Sequence, residues 1–167
     1  TIVIPTYKRT EELKKCLVSL INQKTQYLFQ VVVVNNCQDE YINSKVLDLI
    51  KTLNDERIIY YINNENLGAM GNWNRCFSLA RSKWVAMVHD DDIVNENWVD
   101  IMIQNCKRED SCDCIACNFK SVRKEEEQEF LKKKIDDYEV INVKPDMMLT
   151  NFKAPLLGAF IKRDTLI

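Results

Sequence analysis

The sequence has few of the residues that interrupt regular structure, with three glycines and three prolines in 167 residues. This scarcity argues against a linker or a low-complexity segment, and no internal repeat is present. No apolar run approaches the roughly 20 residues that a transmembrane helix needs, and the amino end carries no signal-peptide pattern. The net charge of −2 provides no broad basic field, so we expect no nucleic-acid partner.

What is present is the composition of an ordinary globular domain. Hydrophobic residues make up 46% of the chain and charged residues 29%, and the length suffices for one domain with a substantial core. The chain starts at Thr1 without a methionine and ends on the apolar pair Leu166 and Ile167. We therefore expect residues 1–167 to form a single domain cut from a longer protein.

The seven cysteines are odd in number and show no pattern of a small disulfide scaffold, which favours a reducing compartment. Four of them, Cys106, Cys112, Cys114 and Cys117, lie close enough in sequence to suggest zinc. A structural zinc site usually needs two paired ligand groups, and no second group is present. We therefore interpret these four cysteines as buried free thiols.

Four apolar runs predict four β-strands, at residues 2–4, 31–34, 58–62 and 84–88. Because the runs are continuous rather than alternating with polar residues, we expect strands that are buried on both faces. Parallel sheets covered by helices have this property.

Helical periods lie between and after these runs, so the order β-α-β-α-β-α-β-α predicts an α/β fold with a mostly parallel sheet. Thr10 is expected to cap the first helix. The apolar stripes are Leu13, Cys16, Leu17, Leu20 and Ile21; Ile42, Val46, Leu49, Ile50 and Leu53; Met70, Trp73, Phe77 and Ala80; and Val94, Trp98, Ile101 and Met102.

The pattern is looser after Cys112. Residues 114–119 predict a fifth strand, and the highly charged residues 123–137 predict a solvated helix or surface excursion. Another strand is expected at 140–143. Residues 156–161 are expected to return to the sheet, with Gly158 at a point that leaves little side-chain room.

Polar segments follow all four of the first strands. In an open parallel sheet, ligands bind beyond the carboxyl ends of the strands, so these segments should meet at one edge. They are 5–9 (Pro-Thr-Tyr-Lys-Arg), 35–39 (Asn-Asn-Cys-Gln-Asp), 63–68 (Asn-Asn-Glu-Asn-Leu-Gly) and 89–92 (His-Asp-Asp-Asp).

The acidic segment is the most informative of these. Adjacent carboxylates repel one another unless a cation neutralises them. Hard divalent ions such as Mg²⁺ and Mn²⁺ are often shared between protein carboxylates and a substrate diphosphate. Asp90, Asp91 and Asp92 therefore suggest a site for a metal and a nucleotide diphosphate, although an acidic turn that caps a helix starting near Asn95 would give the same pattern.

The other polar positions have two interpretations each. Tyr7 and Arg9 can stack on a base and contact a phosphate, or they can form a plain turn. Asn35 and Asn36 can bond a nucleobase edge, or they can simply favour a turn. His89, the only histidine, can ligate a metal, bond a ribose hydroxyl or bond to the backbone.

Taken in order, these segments resemble family 2 glycosyltransferases of the GT-A type. Residues 1–9 (Thr-Ile-Val-Ile-Pro-Thr-Tyr-Lys-Arg) are similar to the opening of that family, and residues 31–36 to its second strand. Residues 66–68 (Asn-Leu-Gly) resemble its Asn-x-Gly segment, and residues 84–92 its strand with an Asp-x-Asp-like motif. The resemblance is strong to about residue 103 and implies the GT-A fold, a Rossmann-like α/β sheet.

By position, the resemblance also implies a set of site residues. The metal, Mn²⁺ or Mg²⁺, would be held by Asp91 with Asp92 as a second contributor. The nucleotide and donor sugar would be bordered by Pro5, Thr6, Tyr7, Arg9, Asn35, Asn36, Asn66, Gly68, Asn72, Asn74, His89 and Asp90.

Two departures from the family pattern concern this site. The first acid of the Asp-x-Asp motif falls on His89, so a ribose contact would shift to Asp90 or stay with His89. The frequent Ala-Arg-Asn triplet of the family is replaced here by residues 72–74 (Asn-Trp-Asn). Arg75 is left as an open candidate for the missing arginine.

The resemblance implies transfer of a sugar from a nucleoside diphosphate donor, with UDP expected, to an acceptor hydroxyl with inversion. The acceptor would be a saccharide or a lipid-linked saccharide in cell-surface polysaccharide synthesis, in the cytoplasm or at the inner face of a membrane. The catalytic base, typically an Asp in the acceptor half, would lie beyond Ile167.

Two other functions remain open from sequence. A sugar-phosphate nucleotidyltransferase usually has a glycine-rich phosphate loop after the first strand, which residues 5–9 lack. A catalytically inactive nucleotide-sugar-binding module is the second alternative, and His89 in place of an acid leaves room for it.

Overall fold

The computed structural model describes residues 1–108, 111–117, 121, 123–133 and 158–166. Six strands form one sheet in the order β3-β2-β1-β4-β6-β5. The pairs β1–β2, β1–β4 and β2–β3 are parallel, and β6 is antiparallel to both β4 and β5. The strands are β1 (Ile2–Thr6), β2 (Val31–Asn35), β3 (Ile58–Ile62), β4 (Trp84–Met87), β5 (Cys114–Ile115) and β6 (Phe160–Lys162).

Five α-helices lie within the described residues, and the first four follow the first four strands as predicted. They are α1 (Thr10–Ile21), α2 (Glu40–Leu53), α3 (Gly68–Leu79), α4 (Trp98–Arg108) and α5 (Glu127–Lys132), with 3-10 turns at Lys124–Glu126 and Arg163–Thr165. The predicted α/β architecture with a mostly parallel sheet is confirmed.

The sheet is covered on both faces, which explains its continuous apolar strands. On β1, Ile2 and Ile4 belong to a core that includes Leu17 of α1. The intervening Val3 belongs to the opposite core, with Cys76 of α3. Alternate residues of a strand point to opposite faces, so both sets must be apolar when both faces are packed.

The third strand differs from expectation because it is the outer strand of the sheet. β3 is only partly buried, with Tyr61 and Ile62 about 40% exposed. Edge strands have one unpaired side, and an apolar run does not reveal where in the sheet a strand lies. The prediction that residues 58–62 are buried on both faces was therefore wrong.

Helix α3 packs most of its predicted stripe against the sheet. Ala80 is buried and Trp73 and Phe77 pack against the same core, but Met70 is 65% exposed, so the prediction was wrong for Met70. The buried face also contains a polar residue, Asn72, which hydrogen bonds keep in place and which counting apolar positions could not select. The predicted cap of α1 was also wrong, because Thr10 is the first helical residue and no side chain caps that helix.

The carboxyl-terminal part departs from the predictions at several described positions. Gly158 has a φ of +73°, and an added Cβ would lie 3.6 Å from the Cys117 sulfur, an ordinary contact. Glycine is therefore needed there for its backbone conformation, and the prediction that little side-chain room is left was wrong. Cys106 is buried, but Cys114 is exposed and Cys112 and Cys117 are partly exposed, so burial was wrongly predicted for these three. Residues 118–119, 134–157 and 167, including the strand expected at 140–143, lie outside the described residues.

Among the described residues, no helix combines the length and the apolar character that crossing a membrane would require.

Candidate functional site

A cleft of about 360 Å³ lies where the carboxyl ends of β1, β2 and β4 meet the beginning of α3. The four polar segments therefore converge, as the position of ligand sites in open parallel sheets led us to expect. The cleft is lined by Pro5, Thr6, Tyr7, Arg9, Asn36, Asn66, Gly68, Ala69, Asn72, Trp73, His89 and Asp90.

All residues predicted to border the nucleotide line this cleft except Asn35 and Asn74. The amide of Asn35 is buried, and it donates to Asn43 Oδ1 at 2.7 Å and to the Tyr60 hydroxyl at 2.9 Å. Asn74 is exposed on α3, one residue beyond the face that reaches the cleft. The roles predicted for these two residues find no support in their placement.

Two lining residues, Ala69 and Trp73, were not predicted as site residues. The ring of Trp73 lies against the ring of His89, with centroids 5.3 Å apart and planes inclined by 40°. Sequence alone placed Trp73 on an apolar helical stripe. Trp73 follows Ala69 by four residues on the same helix, and this spacing indicates that both side chains lie on one face of α3.

Asp90 is the buried acid of the site, with 6% of its surface exposed. Its Oδ2 accepts a hydrogen bond of 2.8 Å from the Thr6 hydroxyl, and its Oδ1 lies 3.5 Å from Arg9 Nη1. Burial raises the pKa of Asp90, Asp91 adds to the rise, and Thr6 and Arg9 oppose it. Asp90 thus joins the ends of β1 and β4 at the base of the cleft.

Asp91 and Asp92 are exposed beside the cleft and, with His89, form a group that can hold a metal. One ligand atom of each residue lies within 4.8 Å of the others, and no other group of three potential metal ligands occurs in the described parts of the chain. Burial raises the pKa of Asp92, and the charge of Asp91 raises it further. Such crowding of negative charge is relieved by a cation.

The residues present also satisfy a chemical test for a divalent ion. Two carboxylates supply hard oxygen ligands, and the imidazole supplies a nitrogen ligand. The His89 Nε2 atom is buried and has no hydrogen-bond partner, so one polar atom of this group lacks the partner that burial normally requires.

Arg9 already neutralises part of this negative charge. Its Nη1 lies 2.5 Å from Asp91 Oδ2, and both side chains are about half exposed. The charge of Asp91 is the main cause that raises the pKa of Arg9. Lys8, at the same turn, has a φ of +60°, and this conformation accompanies the sharp change of direction between β1 and α1.

Amide side chains hold the opposite wall of the cleft. Asn36 Nδ2 donates to Asn66 Oδ1 at 2.8 Å and to the Gly68 carbonyl at 3.2 Å. Asn63 Nδ2 donates to Asn36 Oδ1 and Asn72 Oδ1, and Asn72 Nδ2 donates to the backbone of β2. This network fixes residues 63–68 and the start of α3 against the end of β2.

A larger groove of about 690 Å³ lies at the opposite edge of the sheet, before β3. It is open, and its main charged groups are paired, with Arg57 Nη2 2.6 Å from Asp55 Oδ2. None of the polar segments that follow the strands reaches it. We therefore assign the ligand site to the smaller cleft.

Comparison with known proteins agrees with this geometry. The family described as Glycosyl transferase family 2 matches residues 1–160. The chain belongs to that family. The family resemblance drawn from the four segments is thereby confirmed.

Family 2 relatives include one with an assigned reaction. A GalNAc(5)-diNAcBac-PP-undecaprenol beta-1,3-glucosyltransferase of Campylobacter jejuni is 33% identical over 93 residues, which is 55% of this chain and 29% of the relative. This chain spans about a third of the length of the curated relatives that it matches.

Solved structures of glycosyltransferases share the fold. TarS of S. aureus, crystallised with UDP-GlcNAc, superposes with a TM-score of 0.58 at 21% identity, covering 74% of this chain and 36% of that one. The mannosyltransferase PcManGT of Pyrobaculum calidifontis, crystallised with GDP-Man and Mn²⁺, gives 0.61 at 17% identity, covering 71% and 35%. The predicted GT-A fold is confirmed.

Proposed function

We propose that this chain binds a nucleoside diphosphate sugar, with UDP as the nucleotide, and forms the donor site of an inverting, metal-dependent glycosyltransferase. The observation that carries the proposal is the convergence on one cleft of Arg9, the buried Asp90 and the metal-binding group of His89, Asp91 and Asp92. The carboxylates can bind a divalent cation, and the cation and the guanidinium of Arg9 can then bind the oxygens of a diphosphate.

The beginning of α3 supports a diphosphate in the same cleft. Gly68 and Ala69 line the cleft, and the first turn of this helix contains no acidic residue and no side-chain cap. The first N–H groups of a helix have no acceptor within the helix, and its amino end favours negative charge. The N–H groups of Leu67 and Gly68 are already bonded to Asn36 and Asn66, so those that follow would face the phosphates.

We place the nucleoside between Tyr7 and the amide wall, the side of the cleft formed by Asn36, Asn63, Asn66 and Asn72. Tyr7 is 43% exposed at the mouth of the cleft and presents an aromatic face on which a base can stack. Amides such as Asn66 can bond a base edge. The related structures were crystallised with UDP-GlcNAc and with GDP-Man, which supports a nucleotide sugar without fixing which sugar this chain takes.

In the proposed reaction, the residues of this chain position the donor and stabilise the leaving diphosphate. Arg9 contacts phosphate oxygens, the amino end of α3 donates to them, and Asp90 holds the ends of β1 and β4 in register. The metal, Mn²⁺ or Mg²⁺, would be held by Asp91 and Asp92 and would supply charge stabilisation to the diphosphate as it leaves.

The acceptor and the general base belong to our proposal for the whole protein. Because the chain matches only about a third of its relatives' length, we place the base and the rest of the acceptor region outside residues 1–167. The Campylobacter jejuni relative acts on a lipid-linked saccharide. It supports a saccharide or lipid-linked acceptor in polysaccharide synthesis. We further propose that the whole protein acts in the cytoplasm, at the inner face of a membrane.

Calorimetric titration of UDP into the chain, with and without Mn²⁺, tests the donor site. We expect binding that is at least about tenfold tighter with Mn²⁺ and that loses this gain in Asp91→Asn, because one charged metal ligand is removed. Asp48→Asn is the matched control, since Asp48 is 75% exposed on α2. UDP binding that ignores both Mn²⁺ and Asp91→Asn would refute the metal-dependent donor site.

A measurement of sugar transfer or donor hydrolysis distinguishes an active enzyme from an inactive binding module. We expect the full-length protein, given a panel of nucleotide sugars and Mn²⁺, to release UDP from one donor, and Asp91→Asn to abolish the release. Tight UDP binding without release from any donor in the panel would favour the inactive module instead.

A further inference from the structure

His89 occupies a position in the metal-binding group where the family pattern has an acid. Building on the proposed function, we propose that His89 supplies a nitrogen ligand, so that the site takes a transition-metal ion such as Mn²⁺ in preference to Mg²⁺. The three ligand atoms of His89, Asp91 and Asp92 lie within 4.8 Å of one another, a separation that a single ion can bridge.

The ring of His89 is positioned but not satisfied by the protein. Its Nε2 atom is buried without a hydrogen-bond partner, a state that destabilises a buried polar atom. The contact with Trp73 fixes the plane of the ring beside the cleft. The backbone of His89 bonds to Asp92 through its carbonyl, so the turn itself does not require an imidazole.

A structural role for the histidine explains less. A histidine kept for packing or for a strand-end hydrogen bond would have its ring nitrogens bonded to backbone or to a carboxylate. Here Nε2 has no such partner, and Asp91 and Asp92 on the same turn offer carboxylate oxygens within 4.8 Å of a ring nitrogen. A metal is the partner that uses both kinds of group at once.

The mixed ligand set determines which ion is preferred. Mg²⁺ prefers oxygen ligands in a near-ideal octahedron, and imidazole best suits first-row ions such as Zn²⁺, Fe²⁺ and Ni²⁺. Mn²⁺ shares the preference of Mg²⁺ for oxygen ligands, but as a first-row ion it also accepts a nitrogen ligand. An all-oxygen version of the site would discriminate less between Mg²⁺ and Mn²⁺. The single exchange of acid for histidine at position 89 therefore sets the ion selectivity of this chain.

Electron spin echo spectroscopy of bound Mn²⁺ tests the ligand directly. His89 is the only histidine, so ¹⁴N modulation from an imidazole can come from no other residue of the untagged chain. Inorganic pyrophosphate, which contains no nitrogen, is the ligand to add with Mn²⁺. We expect imidazole ¹⁴N modulation in the wild type and none in His89→Gln or His89→Asp.

Ion affinities measured by titration give an independent result. We expect the Mn²⁺ dissociation constant to rise about tenfold or more in His89→Gln, with Mg²⁺ affinity nearly unchanged. His89→Asp should bind Mg²⁺ more tightly than the wild type and lose the preference for Mn²⁺. If the variants fail to fold, the wild-type spectrum alone decides the point.

The outcomes separate this inference from the proposed function. Mn²⁺ that binds without imidazole modulation, and with equal affinity in His89→Gln, overturns the nitrogen ligand and leaves the metal-dependent donor site intact. A chain that binds no Mn²⁺, with or without pyrophosphate or UDP, overturns both.

Discussion

Arg9 and Asp91 form a direct ion pair across the mouth of the cleft, with Nη1 of the arginine 2.5 Å from Oδ2 of the aspartate. The carboxylate that we assign to the metal is therefore already neutralised by an arginine from the end of β1. Exposed ion pairs contribute little stability because solvent screens them, so a divalent ion can readily displace Arg9. Displacement would leave the guanidinium free to contact the phosphates.

Replacing Arg9 should affect metal and nucleotide in opposite directions. In Arg9→Gln, we expect Mn²⁺ alone to bind up to about fivefold tighter, because its competitor for Asp91 is gone. UDP in the presence of Mn²⁺ should bind about tenfold or more weakly, because a charge-assisted hydrogen bond to phosphate is lost. Calorimetric titrations with each ligand measure both constants.

The control for this prediction removes the same charge elsewhere. Arg81 is exposed just before β4, at the opposite edge of the sheet, so Arg81→Gln should change neither constant. A fall of Mn²⁺ and UDP affinity together in Arg9→Gln would show that Arg9 supports the metal rather than competing with it.

The amide wall predicts that two neighbouring asparagines respond differently to the same change. In Asn36→Asp, a carboxylate oxygen would face the Gly68 carbonyl, which cannot become a donor. The Asn66 amide could turn to donate only by losing the hydrogen bond that its Oδ1 accepts from the Gly68 N–H. We expect the free energy of unfolding to fall by about 2 kcal/mol. Urea denaturation measures the loss, and faster hydrogen exchange at residues 66–68 should accompany it.

Asn35→Asp is the matched comparison, because its partners can adapt. The Tyr60 hydroxyl can donate to a carboxylate, and the Asn43 amide can turn to present its NH₂. The loss of stability should be clearly smaller than in Asn36→Asp. Equal losses would show that burial of the charge, rather than the identity of its partners, determines the effect.

The sequence predicted the order of elements and the ligand edge because both depend on local patterns. Runs such as residues 31–34 are β-branched and continuous, and polar segments follow the strands. In a parallel sheet the carboxyl ends share one edge, so the convergence of Thr6, Asn36 and Asp90 follows from topology alone.

The remaining features depend on tertiary contacts that no local pattern carries. The partly exposed β3 reflects its position at the edge of the sheet, which is set by strand order. Asn72 is buried on α3 because Asn63 and the backbone of β2 bond its amide, which reverses the usual link between polarity and exposure. The pairing of Arg9 with Asp91 joins residues that are 82 positions apart.

Trp73 should report ligand binding through its fluorescence. Of the three tryptophans, only Trp73 lines the cleft, whereas Trp84 begins β4 and Trp98 is the buried first residue of α4. We expect UDP with Mn²⁺ to change the emission of the wild type and Trp73→Phe to lose most of that change, while calorimetry shows that it still binds. The Trp84→Phe variant should keep the change in emission. If Trp84→Phe loses the change and Trp73→Phe keeps it, the nucleotide binds outside this cleft.

Asp55 and Arg57 predict a pH-dependent contribution to stability that is separate from the cleft. Arg57 donates two hydrogen bonds to the Asp55 carboxylate, at 2.9 Å and 2.6 Å, and a third to the Ile21 carbonyl at the end of α1. These hydrogen bonds lower the pKa of Asp55 below its ordinary value, against the opposing effect of burial. A carboxyl group with a lowered pKa in the folded state stabilises the fold only while it is ionised.

For Asp55→Asn we therefore expect a loss of about 1 kcal/mol in the free energy of unfolding at neutral pH. The difference from wild type should stay constant down to the ordinary aspartate pKa of 3.8 and shrink as the pH falls further, through the lower pKa of the folded state. Asp48→Asn, 75% exposed, should show no such loss. UDP affinity should be unchanged in Asp55→Asn because the Asp55–Arg57 pair lies at the opposite edge of the sheet from the cleft. A difference in stability that persists at a pH below the folded-state pKa of Asp55 would show that packing, rather than charge, causes the effect.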